Sequence, residues 1–338
     1  MRIAVVGLGF MGSTHLQALR NVPDATLHAV VSDSDIKLGG DLSAIQGNLD
    51  RPGEKLDFSS VRKYRKLEDA LADPDVEAVD LCLPTYMHES ATIRSLEAGK
   101  HVLVEKPMAL DGAACERMIA TAAKAGRVLM TAQVLRFWAD YQPLMDARHT
   151  GSLGRIRAAL FRRRCAAPAW GKWLHDAEKG GGGVFDLLIH DVDMCVHLFG
   201  VPEAVSATGN EDLPEGIDII TAQLHYKDVP SVVVTGGWHH PSAYPFSMEY
   251  TASFDLGTIE FSTAGRAVTL YSHTGEAKPM EKPDQDGFAR EIEYFVACAR
   301  EDRQPALCPA SESAAAVKVT RLMVEARKHN GDKVACNL

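Results

Sequence analysis

The chain opens on Arg2-Ile3-Ala4-Val5-Val6-Gly7-Leu8-Gly9-Phe10-Met11-Gly12. A short β-branched run ends in Gly-x-Gly-x-x-Gly, and helical spacing follows from Phe10 to Arg20. Strand, glycine turn and helix, at the start of a βαβ unit, form the context that gives this pattern meaning. Gly7 permits the tight turn. Gly9 lets the backbone approach a diphosphate with no Cβ in the way, and Gly12 lets the helix pack closely on the strand. The helix opened by Phe10 and Met11 offers unpaired N–H groups and a positive dipole end to phosphates. The segment therefore predicts a dinucleotide site.

Outward from it, strand and helix patterns alternate. Strands are expected at Ala25–Ser32, Glu77–Leu83, His101–Val104 and Val128–Thr131. Helices are expected at Leu67–Leu71, Tyr86–Ala98 and Ala109–Ala125, the last two closed by Gly99 and Gly126. Such alternation means βαβ units and a parallel sheet covered on both faces. Residues 39–60, rich in glycine and charge, read as a helix plus a long loop. After about residue 130 the pattern changes. A helix at Phe137–His149 and a strand at Arg155–Arg164 precede a glycine run, Gly180 to Gly183, and a helix at Val184–Phe199. Six strand runs then follow between Ala204 and Tyr271, and two helices close the chain, near Phe288–Arg300 and Pro309–Lys328. Consecutive strands imply a largely antiparallel sheet. The expectation is an α/β doubly wound domain over 1–125 and an α+β domain with a large open sheet over 126–338. An open face of that kind suits pairing with further copies of the chain, as a homo-dimer or homo-tetramer.

Composition bounds the function. The 338 residues carry 36 basic and 45 acidic side chains, a formal charge of −9. That argues against a nucleic-acid footprint, which needs clustered Lys and Arg. No apolar run approaches the roughly 18 residues of a membrane span. The apolar run Ile3–Val6 is too short for a secretory leader, and no lipid-anchor motif is evident. Seven cysteines without a CxxC pair read as reduced thiols, hence a cytoplasmic protein.

Three further groups of residues carry candidate chemistry. Asp33 ends the second strand about 20 residues beyond the glycine turn, where a carboxylate would accept hydrogen bonds from the adenine-ribose diol and repel a 2′-phosphate. That favours NAD over NADP, although Asp35 competes for the role and Lys37 leaves NADP open. Pro84-Thr85-Tyr86-Met87-His88 and Glu105-Lys106-Pro107 leave adjacent strands at the carboxyl edge, the edge that carries the glycine turn. Pro107 limits where Lys106 can aim. Asp186 and His190 are four apart and share a helix face, which Asp193 and His197 continue. They read either as an acid/base histidine with an orienting carboxylate or as metal ligands. His197 reads more simply as a packed residue near the helix end.

GLGFMG, LPTYMHES, HVLVEKPMAL and GGGVFDLLIHDVDMCVHLFG together resemble the Gfo/Idh/MocA family of glucose–fructose oxidoreductase and inositol dehydrogenase relatives, along essentially the whole chain. The resemblance implies a Rossmann domain, a C-terminal α+β domain, and NAD(P)-dependent hydride transfer between nicotinamide and a hydroxyl or carbonyl of a sugar, cyclitol or related polyol. It makes Lys106 the catalytic lysine, Asp186 and His190 the Asp-x-x-x-His pair, and Pro84, Thr85, His88 and Glu105 part of the cofactor lining. No metal is called for, since the lysine supplies positive charge. Arg136, Phe137, Arg163, Trp170 and Trp173 are expected to shape the substrate pocket, with Trp173 as a wall, and His239 and His240 are further candidates. The stretch from Gly47 to Ser60 is longer than the family pattern suggests and lies toward the adenosine end. Two alternatives stay open: a glycosidase that retains NAD, and a non-catalytic NAD-binding regulator.

Overall fold

The computed structural model describes residues 1–47 and 51–337. They form two compact units, Met1–Val134 with Gln285–Ala314, and Leu135–Asp284 with Ala315–Leu338.

The first unit is built on β1 (Arg2–Val6), α1 (Phe10–Leu19), β2 (Thr26–Val31), α2 (Asp35–Leu38), β3 (Arg62–Tyr64), α3 (Leu67–Ala72), β4 (Ala78–Leu81), α4 (His88–Glu97), β5 (His101–Glu105), α5 (Gly112–Ala125) and β6 (Leu129–Ala132). Its six strands run parallel in the order β3-β2-β1-β4-β5-β6, so the direction in which strands are added reverses between β1 and β4. Ligands bind at such a switch point, outside the carboxyl ends of the strands. β4, β5 and β6 are buried throughout, as befits strands covered on both faces. α5 starts at Gly112 rather than at the expected Ala109, because the Asp111 carboxylate accepts the Ala114 N–H at 2.8 Å and caps it there.

The described residues of 39–60 hold no helix, against the expectation of a helix plus a long loop. The four-residue α2, capped by Ser34, ends just before them, and the irregular stretch is pinned by a bridge between Asp41 and Lys55. Strand β3 escaped the sequence reading because three residues, Arg-Lys-Tyr, carry no alternation. Of the stretch 47–60, Asn48–Asp50 lie outside the described residues. Parts of the rest touch α1. The Gly47 backbone abuts the Phe10 ring, and Gln17 Nε2 donates to the Pro52 carbonyl at 3.1 Å.

The second unit continues with α6 (Gln142–Thr150), β7 (Ile156–Cys165), a single π-helical turn (Val184–Leu188), α7 (Ile189–Phe199), β8 (Ala204–Asp212), β9 (Ile217–His225), β10 (Ser231–Trp238), β11 (Ser247–Phe254), β12 (Gly257–Ser262), β13 (Arg266–Ser272) and β14 (Ala277–Pro279). Next, α8 (Gly287–Arg300) belongs to the first unit, where it packs on α1. The chain ends with α9 (Ala310–Arg327) and β15 (Val334–Ala335). The second sheet has nine strands in the order β14-β13-β12-β11-β7-β10-β9-β8-β15, antiparallel except for β7 beside β10. Along β7, Phe161, Arg163 and Cys165 are buried while Leu160, Arg162 and Arg164 are not, so one face is covered and the other open.

The unit boundary differs from the expected division at residue 125. β6 pairs with β5 and so extends the first sheet through residue 132, and α8 returns to the first unit. No described helix is long and apolar enough to cross a membrane. All seven cysteines are free thiols.

Candidate functional site

The glycine turn shows why each glycine is needed. Gly7 adopts φ +92, and a Cβ there would fall 2.4 Å from the Cys82 carbonyl oxygen. On Gly12 it would fall 1.9 Å from the Gly7 carbonyl oxygen. Both positions are closed by the protein's own packing. A Cβ on Gly9 would meet nothing within 4 Å. Internal packing therefore does not account for Gly9, whereas space kept for an incoming group does. Gly9 is also the N-cap of α1, with no side-chain cap and no acidic residue in the first turn. The N–H groups of that turn stay available to an anion. The residues present fit a dinucleotide diphosphate.

Beyond β2, Arg65 donates to the Asp33 carbonyl at 3.2 Å and forms a close pair with the Asp35 carboxylate. Asp35 is engaged, while Asp33 is exposed. Of the two candidates, Asp33 is thus the carboxylate without a partner among the described residues.

The loops after β4 and β5 are held together from beneath. Pro84 precedes a 3₁₀ turn over Thr85–Met87 in which Thr85 is buried. His88, expected to line the cofactor, is wholly buried. Its Nδ1 lies 2.8 Å from the Pro107 carbonyl oxygen and its Nε2 2.8 Å from that of Leu83. Both ring nitrogens are engaged, so His88 clamps the lining rather than forming it. Burial pushes its imidazole below the ordinary histidine value, against the pull of the two carbonyls. Lys106, followed by a cis bond to Pro107, is half-buried. Its backbone N–H donates to Glu105 Oε2 at 2.9 Å.

Sequence reasoning missed what supports Glu105. His15, on the buried side of α1, places Nδ1 2.9 Å from Asp80 Oδ2 and Nε2 3.1 Å from Glu105 Oε1. The second contact is at ion-pair distance but off the line of a straight hydrogen bond. Cys82 Sγ lies 3.5 Å from His15 Nδ1. Burial alone would drive the His15 pKa down, but the Asp80 carboxylate and then Cys82 hold it well above the ordinary value. His15 thus joins the helix after the glycine turn to β4 at Asp80 and to the end of β5 at Glu105. The signal was an aspartate inside the apolar run Glu77–Leu83, which requires a buried partner.

In the second unit the glycine run brings the chain close to the sheet. A Cβ on Gly182 would fall 2.6 Å from Asp218 Oδ2, and one on Gly183 2.8 Å from the Trp238 ring. Asp218, itself held by Arg327, accepts the Val184 N–H at 2.9 Å and starts the π turn. π turns are rare and frequent at functional sites. From Val184 to Val196 every residue is buried except Asp186 and His190. Asp186 lies within the π turn and His190, four residues on, at the start of α7, and both are half-buried.

Asp193 and His197 belong to a different arrangement. Asp193 accepts from Arg136 Nε and Nη2 at 2.8 and 2.7 Å, and His197 Nδ1 lies 3.2 Å from Arg136 Nη1. These contacts leave neither residue as a metal ligand. Arg163 makes the equivalent bidentate pair with Asp191, at 2.9 and 3.0 Å. Arg136 is 0% exposed, and Phe137 and Arg163 are buried. The expectation that these three touch substrate is corrected: two are internal cations that fix α7, and the third is core. Trp170 is exposed and Trp173 half-buried on a 3₁₀ turn, Lys172–His175, whose His175 bridges the Pro168 and Leu213 carbonyls. His239 packs tilted against His240, with ring centroids 4.0 Å apart, and His240 stacks on Tyr244 at 3.8 Å. Among the described residues, the two groups with metal-ligand spacing are His15–Asp80–Cys82 and His28–Asp73–Asp75. In the second, the carboxylates also accept from Tyr64 and Arg62, whereas in the first Asp80 pairs with His15 itself.

Comparison with known proteins agrees with this anatomy. Residues 1–133 match the family model of an oxidoreductase family with an NAD-binding Rossmann fold, and residues 141–260 match the GFO/IDH/MocA C-terminal domain. The myo-inositol 2-dehydrogenase of Thermotoga maritima is 32% identical over 66% of this chain and 63% of its own length. The D-glucoside 3-dehydrogenase of Escherichia coli is 34% identical over 57% of this chain and 50% of its own. The alignments therefore span about half to two thirds of these relatives. The aldose-aldose oxidoreductase of Caulobacter crescentus superposes with a TM-score of 0.84 over 99% of each chain at 24% identity, which speaks for the fold. With both domain models matched in order over most of its length, the chain belongs to the Gfo/Idh/MocA oxidoreductase family.

Proposed function

We propose that the protein is an NAD(P)-dependent oxidoreductase that transfers hydride between nicotinamide and a CH–OH or carbonyl carbon of a sugar, cyclitol or related polyol. The observation that carries this reading is the exposure of Asp186 and His190 alone on an otherwise buried segment. The vacant side of Gly9 and the uncapped start of α1 supply the coenzyme half of the argument. The inositol and glucoside dehydrogenases among the relatives support the substrate class.

When bound, the nicotinamide accepts or returns the hydride. The chain's own residues manage the proton and the charge. His190 takes the hydroxyl proton as general base and returns it in the reverse direction. Asp186 orients the imidazole and stabilises its protonated form. Lys106 supplies an ammonium to the oxygen on which negative charge develops. Asp33 favours NAD over NADP, because a carboxylate there repels a 2′-phosphate. The open face of the nine-stranded sheet, with Leu160 and Tyr271 exposed on its strands, supports a homo-oligomer formed through that face. The seven free thiols support a cytoplasmic location.

A panel of sugars, inositols and sugar acids, assayed with NAD and NADP for change in nicotinamide absorbance, tests the reading. Substrate-dependent reduction is expected, faster with NAD. Glycoside cleavage with no net coenzyme turnover would assign the protein to retained-NAD glycosidases. Tight NAD binding with no hydride transfer across the panel would make it a regulator.

A further inference from the structure

Gln133 follows directly on β6. Ala132 pairs in register with Glu105 of β5, so Gln133 stands beside Lys106 at the carboxyl edge of the parallel sheet. Its side chain is 1% exposed. Neither its Nε2 nor its Oε1 has a hydrogen-bond partner among the described residues. Two residues back, the Thr131 hydroxyl is also buried and has no partner among the described residues. The Gln133 N–H turns back to the Thr131 carbonyl at 2.8 Å, so the chain leaves the strand at this point.

A buried carboxamide with both ends unmet is costly, because each end has given up water without gaining a partner. Native proteins keep few such groups, and each calls for a reason. The carboxamide presents a donor and an acceptor side by side. Its complement is a group that presents an acceptor and a donor with the same spacing, namely another primary carboxamide. A pyridine nucleotide carries one such group, on the ring that reacts. Phosphate lacks a donor, and a ribose diol, which can pair a donor with an acceptor, does not hold the two in one plane as a carboxamide does.

We propose that Gln133 binds the nicotinamide carboxamide through paired N–H···O bonds and so fixes which face of the ring is presented for hydride transfer. The assignment rests on the coenzyme reading above. Gln133 is a positioning residue for the ring, and the proton chemistry stays with other groups.

The test compares binding of three ligands by direct titration: NAD, its 3-acetylpyridine analogue, in which a methyl replaces the carboxamide nitrogen, and ADP-ribose, which has no pyridine. The wild type is expected to prefer NAD to the analogue. Gln133→Met, similar in shape and apolar, is expected to weaken NAD about 5- to 30-fold, corresponding to about one to two kcal/mol. ADP-ribose affinity should not change, and the preference for NAD over the analogue should disappear. If Gln133→Met melts far below the wild type, Gln133→Glu carries the test. It keeps the acceptor and loses the donor, so it should weaken NAD while leaving ADP-ribose unchanged. Undiminished NAD affinity, or an equal loss for all three ligands, overturns the proposal. A wild type that binds neither NAD nor ADP-ribose fails differently, since it removes the coenzyme reading itself.

Discussion

The glycine turn and the helical segment from Val184 to Phe199 solve opposite problems. In the turn, recognition belongs to the backbone, and side chains are excluded where a ligand must approach. The open side of Gly9 shows this, set against the closed sides of Gly7 and Gly12. Over Val184–Val196 of the helical segment every residue is buried except Asp186 and His190, and function falls to those two side chains. The neighbouring Asp191, Asp193 and His197 have the same chemistry but bind internal arginines. A polar residue's type thus says little about its role in this segment, and exposure decides.

His190→Ala gives the largest expected effect. Loss of general acid–base catalysis should lower turnover about 10²- to 10⁴-fold with coenzyme affinity and melting temperature nearly unchanged. A turnover number close to the wild type's would remove His190 from the chemistry. Arg136→Met should show the reverse pattern. It strands the Asp193 carboxylate in the core, which costs about 3–5 kcal/mol of stability in a denaturant titration. Because Arg136 touches no solvent, the substrate KM of the surviving folded fraction should hold. A raised KM at full stability would return Arg136 to the substrate.

The next contrast lies within the glycine turn. Gly12→Ala drives a methyl into the Gly7 carbonyl and should destabilise the fold by about 1–3 kcal/mol. Gly9→Ala has room and should leave stability within about 0.5 kcal/mol. Its coenzyme affinity should nonetheless fall about tenfold, or 1.4 kcal/mol. If Gly9→Ala bound coenzyme as well as the wild type, the space beside Gly9 would not be the diphosphate site.

The sequence showed the parts of the molecule that depend on local chemistry. The turn, the parallel strands and the sheet change near residue 130 each follow from spacing within a few residues. What stayed hidden depends on partners far along the chain. His88 looked like a cofactor residue until its two carbonyls, Leu83 and Pro107, were seen on either side. Arg136 and Arg163 looked like pocket cations because nothing near them in sequence pairs with them; Asp193 and Asp191 lie 57 and 28 residues away. β6 fell outside the expected first domain because its membership is decided by pairing with β5. α8 was assigned to the wrong half for the same kind of reason, since an amphipathic helix does not say which sheet it covers.

The smallest effect concerns His15, which the sequence reading passed over. Its folded pKa is raised, so the native state holds a proton that the unfolded chain releases near pH 6.5. The stabilisation it contributes is therefore complete below about pH 6.5 and declines as the pH rises through the folded value, at no more than about 1.4 kcal/mol per pH unit. Above that value the neutral ring faces Asp80 and Glu105 without its charge. His15→Gln carries no such proton. Denaturant stabilities of the two proteins, measured from about pH 6 upward, should differ most at the acid end and converge toward the alkaline end. A gap that stays constant with pH would mean that His15 is neutral in the fold and supports the glycine turn by shape alone.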